Sequence, residues 1–294
     1  MTPINIMSLR HSAFYTPLLV CISGGFLNDE GLEPHYEVQT PQRTVVDSIR
    51  SGETHLAQSA VATSFAALEA GEKVDIVHFA QINERDGFFL AGREADGEFD
   101  WSKLVGREVL VDHFFQPLAM FRYALHKQGI RIEDIKVIDA GDVAAIDRAF
   151  RQGRGDYVHQ QGPAPQQLEL EGLGHVVASV GEVVGPVAFS SLCAKREWLE
   201  TDMAQAFMRA YRKARQFAID APVEELAKLL QGFFPTINPA VLGRTLHTYQ
   251  QLGCWTPDPA ISRAAYDNLL DVFLHSGLIR QRHAYEAAIV LPPS

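Results

Sequence analysis

Cysteine is scarce in this chain. Three residues, Cys21, Cys193 and Cys254, lie far apart in 294, with no C-x-x-C pair. An odd, scattered set suits a reduced compartment better than a disulfide framework, and it supplies no zinc spacing. Long apolar runs are missing too. None reaches the ~18 residues a membrane-spanning helix needs, so no membrane insertion is expected. Positive charge is in deficit, with 26 Lys and Arg against 36 Asp and Glu and a net charge of −10. An acidic chain matches a phosphate backbone poorly, so nucleic acid is not an expected partner. The opening MTPINIMSL lacks a basic segment followed by an apolar one. As it stands the sequence reads as cytoplasmic, or as periplasmic if a leader precedes it. G-x-G-x-x-G, G-x-x-x-x-G-K-[ST], G-x-S-x-G and H-E-x-x-H are all absent. The eleven histidines are scattered, so no metal, cofactor or catalytic residue is assigned.

What is present is an ordinary globular mixture, 47% hydrophobic and 21% charged, long enough for two lobes with proper cores. Strand-like and helix-like segments alternate. INIMSL, LEPHYEVQ, THLAQSA and VDIVHFAQIN read as strands, and YTPLLVCISGGFLNDEG, TVVDSIRSG and ATSFAALEAG as helices. The middle repeats this grammar with REVLVDH, IKVIDA and GDYVHQ as strands. After VAFSSLCAKREWLE the chain reads as helical to its end. The order implies an α/β fold with mostly parallel sheets. Two units without a loose linker imply crossovers near Arg93–Asp100 and Val180–Ser190. Lobe 1 is then residues 1–92 plus 189–294, with the helical tail, and lobe 2 is residues 93–188.

Open α/β sheets bind ligands beyond the carboxyl ends of their strands. The first such end, RHSAFYTP, holds Arg10, His11, Phe14 and Tyr15. They either rim a pocket or, for the two aromatics, turn into the core behind a Ser12 cap. QTPQRT offers Thr40 as a helix cap. QSAVATS brings Gln58, Ser59 and Thr63, as ligand groups or plain caps. DHFFQP brings Asp112, His113, Phe114, Phe115 and Gln116, where a Phe pair could hold a flat ring and His113 and Gln116 bond its edge. DYVHQQGP closes the set. Alternation puts Tyr157, His159 and Gln161 on one face, with Gly162 and Pro163 turning the chain out of the sheet. Cys193 or Cys21 is conceivable as a nucleophile, although Cys21 sits among Leu, Val and Ile. Trp255 either packs the tail or reaches the cleft.

HSAFYTPLLVCISGGFLNDEGLEPHYE, SIRSGETHLAQSAVATSFAALEAGE and DWSKLVGREVLVDH resemble the substrate-binding proteins of ABC importers for nitrate, sulfonate, taurine and thiamine-pyrimidine precursors. They also resemble the thiamine pyrimidine synthase of the same fold. The likeness covers roughly residues 4 to 220. It implies a type II periplasmic-binding-protein fold, with two α/β lobes, a ligand cleft between them and a helical C-terminal tail. It further implies a small-molecule ligand, closure of the lobes and an ABC permease as partner. Candidate ligands are a thiamine-pyrimidine precursor, a sulfonate or an aromatic acid. The synthase's Lys and His fall at Ser59 and Thr63 here, and of its cysteine cluster only Cys193 remains, so its chemistry does not carry over. The alternative is a cytoplasmic enzyme of the same fold, a desulfinase, decarboxylase or synthase-like protein, using His11, Arg10 or His113. The ligand contacts expected are therefore Arg10, His11, Phe14, Tyr15, Gln58, Ser59, Thr63, His113, Phe114, Gln116, Tyr157, His159, Gln161 and Gly162.

Overall fold

A computed structural model describes residues 1–294. The chain runs β1 (Thr2–Ser8), α1 (Thr16–Ser23), α2 (Phe26–Asp29), β2 (Leu32–Val38), α3 (Val45–Ser51), β3 (Leu56–Ser59), α4 (Phe65–Glu69) and β4 (Ile76–Asn83). It continues with β5 (Phe88–Gly92), β6 (Glu108–Leu110), α5 (Phe115–Lys127), β7 (Lys136–Ile138), α6 (Val143–Arg151), β8 (Tyr157–Gln161), α7 (Ala164–Leu170), β9 (His175–Ser179) and α8 (Val180–Val184). It ends with β10 (Ser190–Lys195), α9 (Asp202–Asp220), α10 (Val223–Leu230), α11 (Pro239–Gln251), α12 (Arg263–His275) and α13 (Tyr285–Ala288).

The strands form two five-stranded sheets, in the orders β2-β1-β3-β10-β4 and β7-β6-β8-β5-β9. Each has a parallel trio, β2-β1-β3 or β7-β6-β8, extended by antiparallel strands. This is the expected two-lobed α/β fold with a helical tail. The first crossover, however, lies upstream of residue 93. Phe88 to Gly92 pair with Gln161 to Tyr157 in the second sheet, so the chain crosses at residues 84–87. GFFLAGR carries no mark of its sheet, because alternation fixes faces and not partners.

Local chemistry sets the boundaries. Gly25, at φ 81°, splits the long expected first helix into α1 and α2, a conformation that side-chain-bearing residues rarely adopt. Thr44, not Thr40, caps α3, its hydroxyl accepting from Asp47 N at 3.2 Å. Thr40 instead closes a tight turn with Arg43.

Period-2 alternation gives each sheet two buried faces. Ile4 and Ile6 of β1 face one way and Met7 the other. Val109 and Leu110 of β6 divide likewise. The inner faces join one cluster of 66 buried residues that runs through both lobes and the tail helices. Small clusters under α3, and under α6 and α7, cover the outer faces.

Candidate functional site

The parallel strands of both sheets aim their carboxyl ends at a cleft of about 1100 Å3. The ends of β1 and β2 supply Leu9 to Ser12, Val38 and Gln39. Those of β6, β7 and β8 supply Asp112 to Phe114, Asp139 and His159 to Gly162. Phe88 enters from β5, whose antiparallel sense brings its first residue to the same edge. A smaller inner pocket of about 40 Å3 continues inward past Arg10, Phe88, Phe114 and Gln161 to Tyr15, Gln58 and Gln116.

Arg10 spans the cleft. Its Nη1 donates to Asp112 Oδ2 at 3.0 Å, and its guanidinium carbon lies 4.2 Å from the Phe114 ring centroid. An ion pair and a cation–π contact thus tie the end of β1 to the end of β6. Asp112 Oδ1 accepts from Phe114 N at 2.8 Å, which fixes the turn into α5. Gln58 supports the same corner. Its Oε1 accepts from Leu9 N at 3.1 Å and Arg10 N at 3.4 Å.

The histidines differ in surroundings. His11 Nε2 lies 2.9 Å from the Phe233 carbonyl, which can only accept, so the neutral ring carries its proton there. Nδ1 then accepts from the Tyr36 hydroxyl at 3.1 Å, and the ring stacks on Phe234 at 4.8 Å. His113 Nδ1 donates to the Val111 carbonyl at 2.8 Å, leaving Nε2 as the acceptor of the neutral ring. His159 is fully buried between Phe88, at 4.6 Å, and Phe121, at 5.0 Å. Neither of its nitrogens has a partner, and burial pushes its pKa down to about 4, so it is neutral. Burial likewise raises the Tyr15 phenol, opposed by the Arg10 charge and by side-chain hydrogen bonds from Ser190 and Gln161.

Nine of the expected residues line the cleft or its inner pocket together: Arg10, His11, Tyr15, Gln58, His113, Phe114, Gln116, His159 and Gln161. Gly162 joins them, and a Cβ there would come 2.6 Å from the Tyr249 hydroxyl, so glycine is required by the close packing of α11. Four are elsewhere. Phe14 is fully buried against Phe189 and Tyr249, because its 3-10 turn, Ala13–Tyr15, points it into the shared core. Ser59 and Thr63 hydrogen-bond each other at 3.3 Å, away from the cleft lining, where the β3 end is taken up by its own turn. Tyr157 does share a face with His159 and Gln161. It begins β8, opposite Gly92, about 13 Å from the carboxyl end, and packs on Phe99.

Other lining residues were not anticipated. Asp139, Gly141 and Asp142 follow β7, and the strand-end rule applied to IKVIDAGD would have found them. Phe233 to Ile237, between α10 and α11, close one wall. They lie in the tail, where helical periodicity gives no hint of a binding loop. The tail therefore does more than brace the first lobe. Trp255 packs, its Nε1 donating to the Phe14 carbonyl at 3.1 Å and Asn83 Oδ1 at 2.9 Å.

All three cysteines are free and buried. Burial raises their thiols, Cys193 to about 12 and Cys21 and Cys254 further, so none offers a thiolate at neutral pH. No group of three or more His, Cys, Asp or Glu side chains gathers in a metal-binding arrangement.

The chain is 29% identical over 293 residues to YtlA of Bacillus subtilis (strain 168), which carries the provisional name of a binding protein. The match covers 98% of this chain and 88% of YtlA. The solved alkanesulfonate-binding protein SsuA from Xanthomonas axonopodis pv. citri, bound to MOPS, superposes with a TM-score of 0.74. It is 16% identical, with 99% of each chain covered. The Candida albicans CA3427 product, described as having the generic periplasmic binding protein fold, superposes at 0.69 with 11% identity, covering 99% of this chain and 97% of that one. At these identities the two structures show a shared fold. The family model described as NMT1/THI5 like matches residues 13–225, and the chain belongs to that family.

Proposed function

We propose that this protein binds a small organic molecule by closing its two lobes around it, and presents it to an ABC importer. One observation carries the reading. The carboxyl ends of both parallel trios meet at one cleft, whose walls mix aromatic rings with polar groups from both lobes. Such a site recognises by enclosure, since each lobe alone presents only half of the contacts. The name of YtlA and the ligand-binding description of SsuA support this reading. No helix is long and apolar enough to cross a membrane. On this reading the chain works where an importer collects its ligand, on the outer side of a membrane. The enzyme alternative gains nothing from the site. The thiols are buried and protonated, Ser59 and Thr63 bring no amine or imidazole, and Arg10 is engaged by Asp112.

A thermal-shift screen against pyrimidines, sulfonates, aromatic acids and aromatic amines tests the proposal. A ligand at 100 times its Kd adds about 2.7 kcal/mol to stability, a shift of several degrees. The hit is then incubated with the protein and the products analysed. Unchanged ligand and a smaller radius of gyration on binding are expected. Turnover of the hit would overturn a purely binding role.

A further inference from the structure

Resting on the binding reading above, we infer that the ligand is an organic cation with a flat apolar body, a protonated amine or amidinium, and not a sulfonate, nitrate or carboxylate.

The charge of the cleft is the first ground. Among its lining residues Arg10 stands against Asp112, Asp139 and Asp142, with no Lys and no Glu, and the His113 ring lies 3.9 Å from Asp139. The whole chain carries a net charge of the same sign, −10.

The second ground is that the protein's own carboxylates hold three donors at which an oxyanion could bind. Arg10 is paired with Asp112 and laid on Phe114. The Phe114 N–H at the start of α5 is taken by the other oxygen of Asp112. The first turn of α6 faces the cleft at Val143 and Ala144, and Asp142 Oδ1 caps it by accepting from Ala145 N at 2.8 Å. At the start of α7 Pro163 and Pro165 have no N–H, which leaves Ala164 as the cleft-lining residue there that has one. At Arg10, at the Phe114 N–H and at the Ala145 N–H, an incoming sulfonate would have to displace a carboxylate, with no gain in charge.

Third, two buried glutamine amides at the cleft keep acceptors without partners, beside one N–H and one acceptor nitrogen on neutral His159. Gln116 lines the inner pocket at 5% exposure. Its Nε2 donates to the Phe189 carbonyl at 2.9 Å, which fixes the amide, and its Oε1 has no donor. Gln160 lines the main cleft at 2% exposure, its Nε2 directed to Asp147 at 3.4 Å and its Oε1 again without a donor. Buried acceptors without donors call for a ligand that brings N–H groups. Asp139 and Asp142 each use one oxygen for their own loop, Asp139 accepting from Gly141 N at 2.9 Å, and the other oxygen of each is open to a cation.

The test uses the full chain and matched sets of ring compounds: benzamidinium, benzamide and benzenesulfonate, with the corresponding pyridine and naphthalene sets to span size. Affinities are measured by calorimetry at two salt concentrations. The cation of at least one set binds ten or more times tighter than its sulfonate, and weakens as salt is raised. Asp139→Asn/Asp142→Asn, which keeps both loop hydrogen bonds, lowers cation affinity about five- to tenfold and leaves the neutral amide within twofold. Arg10→Met tightens cation binding by freeing Asp112. A sulfonate that binds tighter than its cation overturns the charge assignment while leaving the binding reading intact, and so does a cation indifferent to the double substitution. Failure of every compound here and in the broader screen overturns the binding reading itself.

Discussion

The two walls of the cleft are built to different standards. On the first-lobe wall the polar side chains are engaged by the protein. Arg10 holds Asp112, His11 holds Tyr36 and the Phe233 carbonyl, and Gln58 holds the Leu9 and Arg10 amides. On the second-lobe wall His159, Gln160 and Gln116 are almost wholly buried and keep polar atoms without partners. An unmet buried polar group costs about 1–3 kcal/mol. The first wall is thus rigid before any ligand arrives, and the second holds hydrogen-bonding capacity in reserve. On the proposed binding role, recognition by this protein joins a finished surface to an unfinished one.

That contrast can be broken by experiment. The largest effect belongs to His159. Its folded pKa of about 4 lies below the ~6.5 of an unfolded histidine, so only the unfolded chain gains its proton between those values. Its contribution is fully present above pH 6.5 and is lost as pH falls toward 4, by about 3 kcal/mol. His159→Phe fills the space between Phe88 and Phe121 and flattens this part of the acid limb. Urea unfolding as a function of pH measures it, and an unaltered slope would mean that His159 is not the buried neutral base. His78, pushed down to about 3 by burial, leaves a residual slope in the variant.

Next comes Arg10→Met on the finished wall. It strands Asp112, 5% exposed, and costs about 1–3 kcal/mol once the partial exposure of Arg10 is discounted. The melting temperature falls by several degrees, whereas removing His159 at neutral pH leaves it level or raises it. Opposite signs on the two walls are the expected signature. Gln116→Leu is smaller. It changes stability by about 1 kcal/mol through the lost bond to Phe189, yet weakens a cleft ligand about tenfold in calorimetry. Smallest of all is Thr63→Ala, which lies outside the cleft and leaves affinity within twofold.

The sequence made the strand-end rule usable because strand and helix segments alternate cleanly. It therefore led to Arg10, His113, Gln161 and their neighbours without any knowledge of tertiary contacts. It failed where position along a strand, or the choice of partner strand, decides the outcome. Tyr157 obeys the right parity at the wrong end of β8. Phe14 follows a strand but turns inward, since the 3-10 turn redirects it. Phe233 to Ile237 reach the cleft through the packing of α10 and α11, a long-range fact that local periodicity does not encode. The expected crossover near Arg93–Asp100 fails for the same reason and lies at 84–87, as the hydrophobicity of GFFLAGR fits either sheet.

The continuous core has a mechanical meaning. Phe14, Phe88, Phe189, Tyr249 and Trp255 form an aromatic plug where the crossing segments meet, and Tyr249 donates to the carbonyls of Gly87 and, at 3.4 Å, Gly162. A joint made of strands alone would bend like a ribbon. On the proposed closure, this plug is the ball on which the lobes would swivel. Opening and unfolding would then draw on the same contacts, so a change to the plug is expected to move both the gape of the cleft and the melting of the chain.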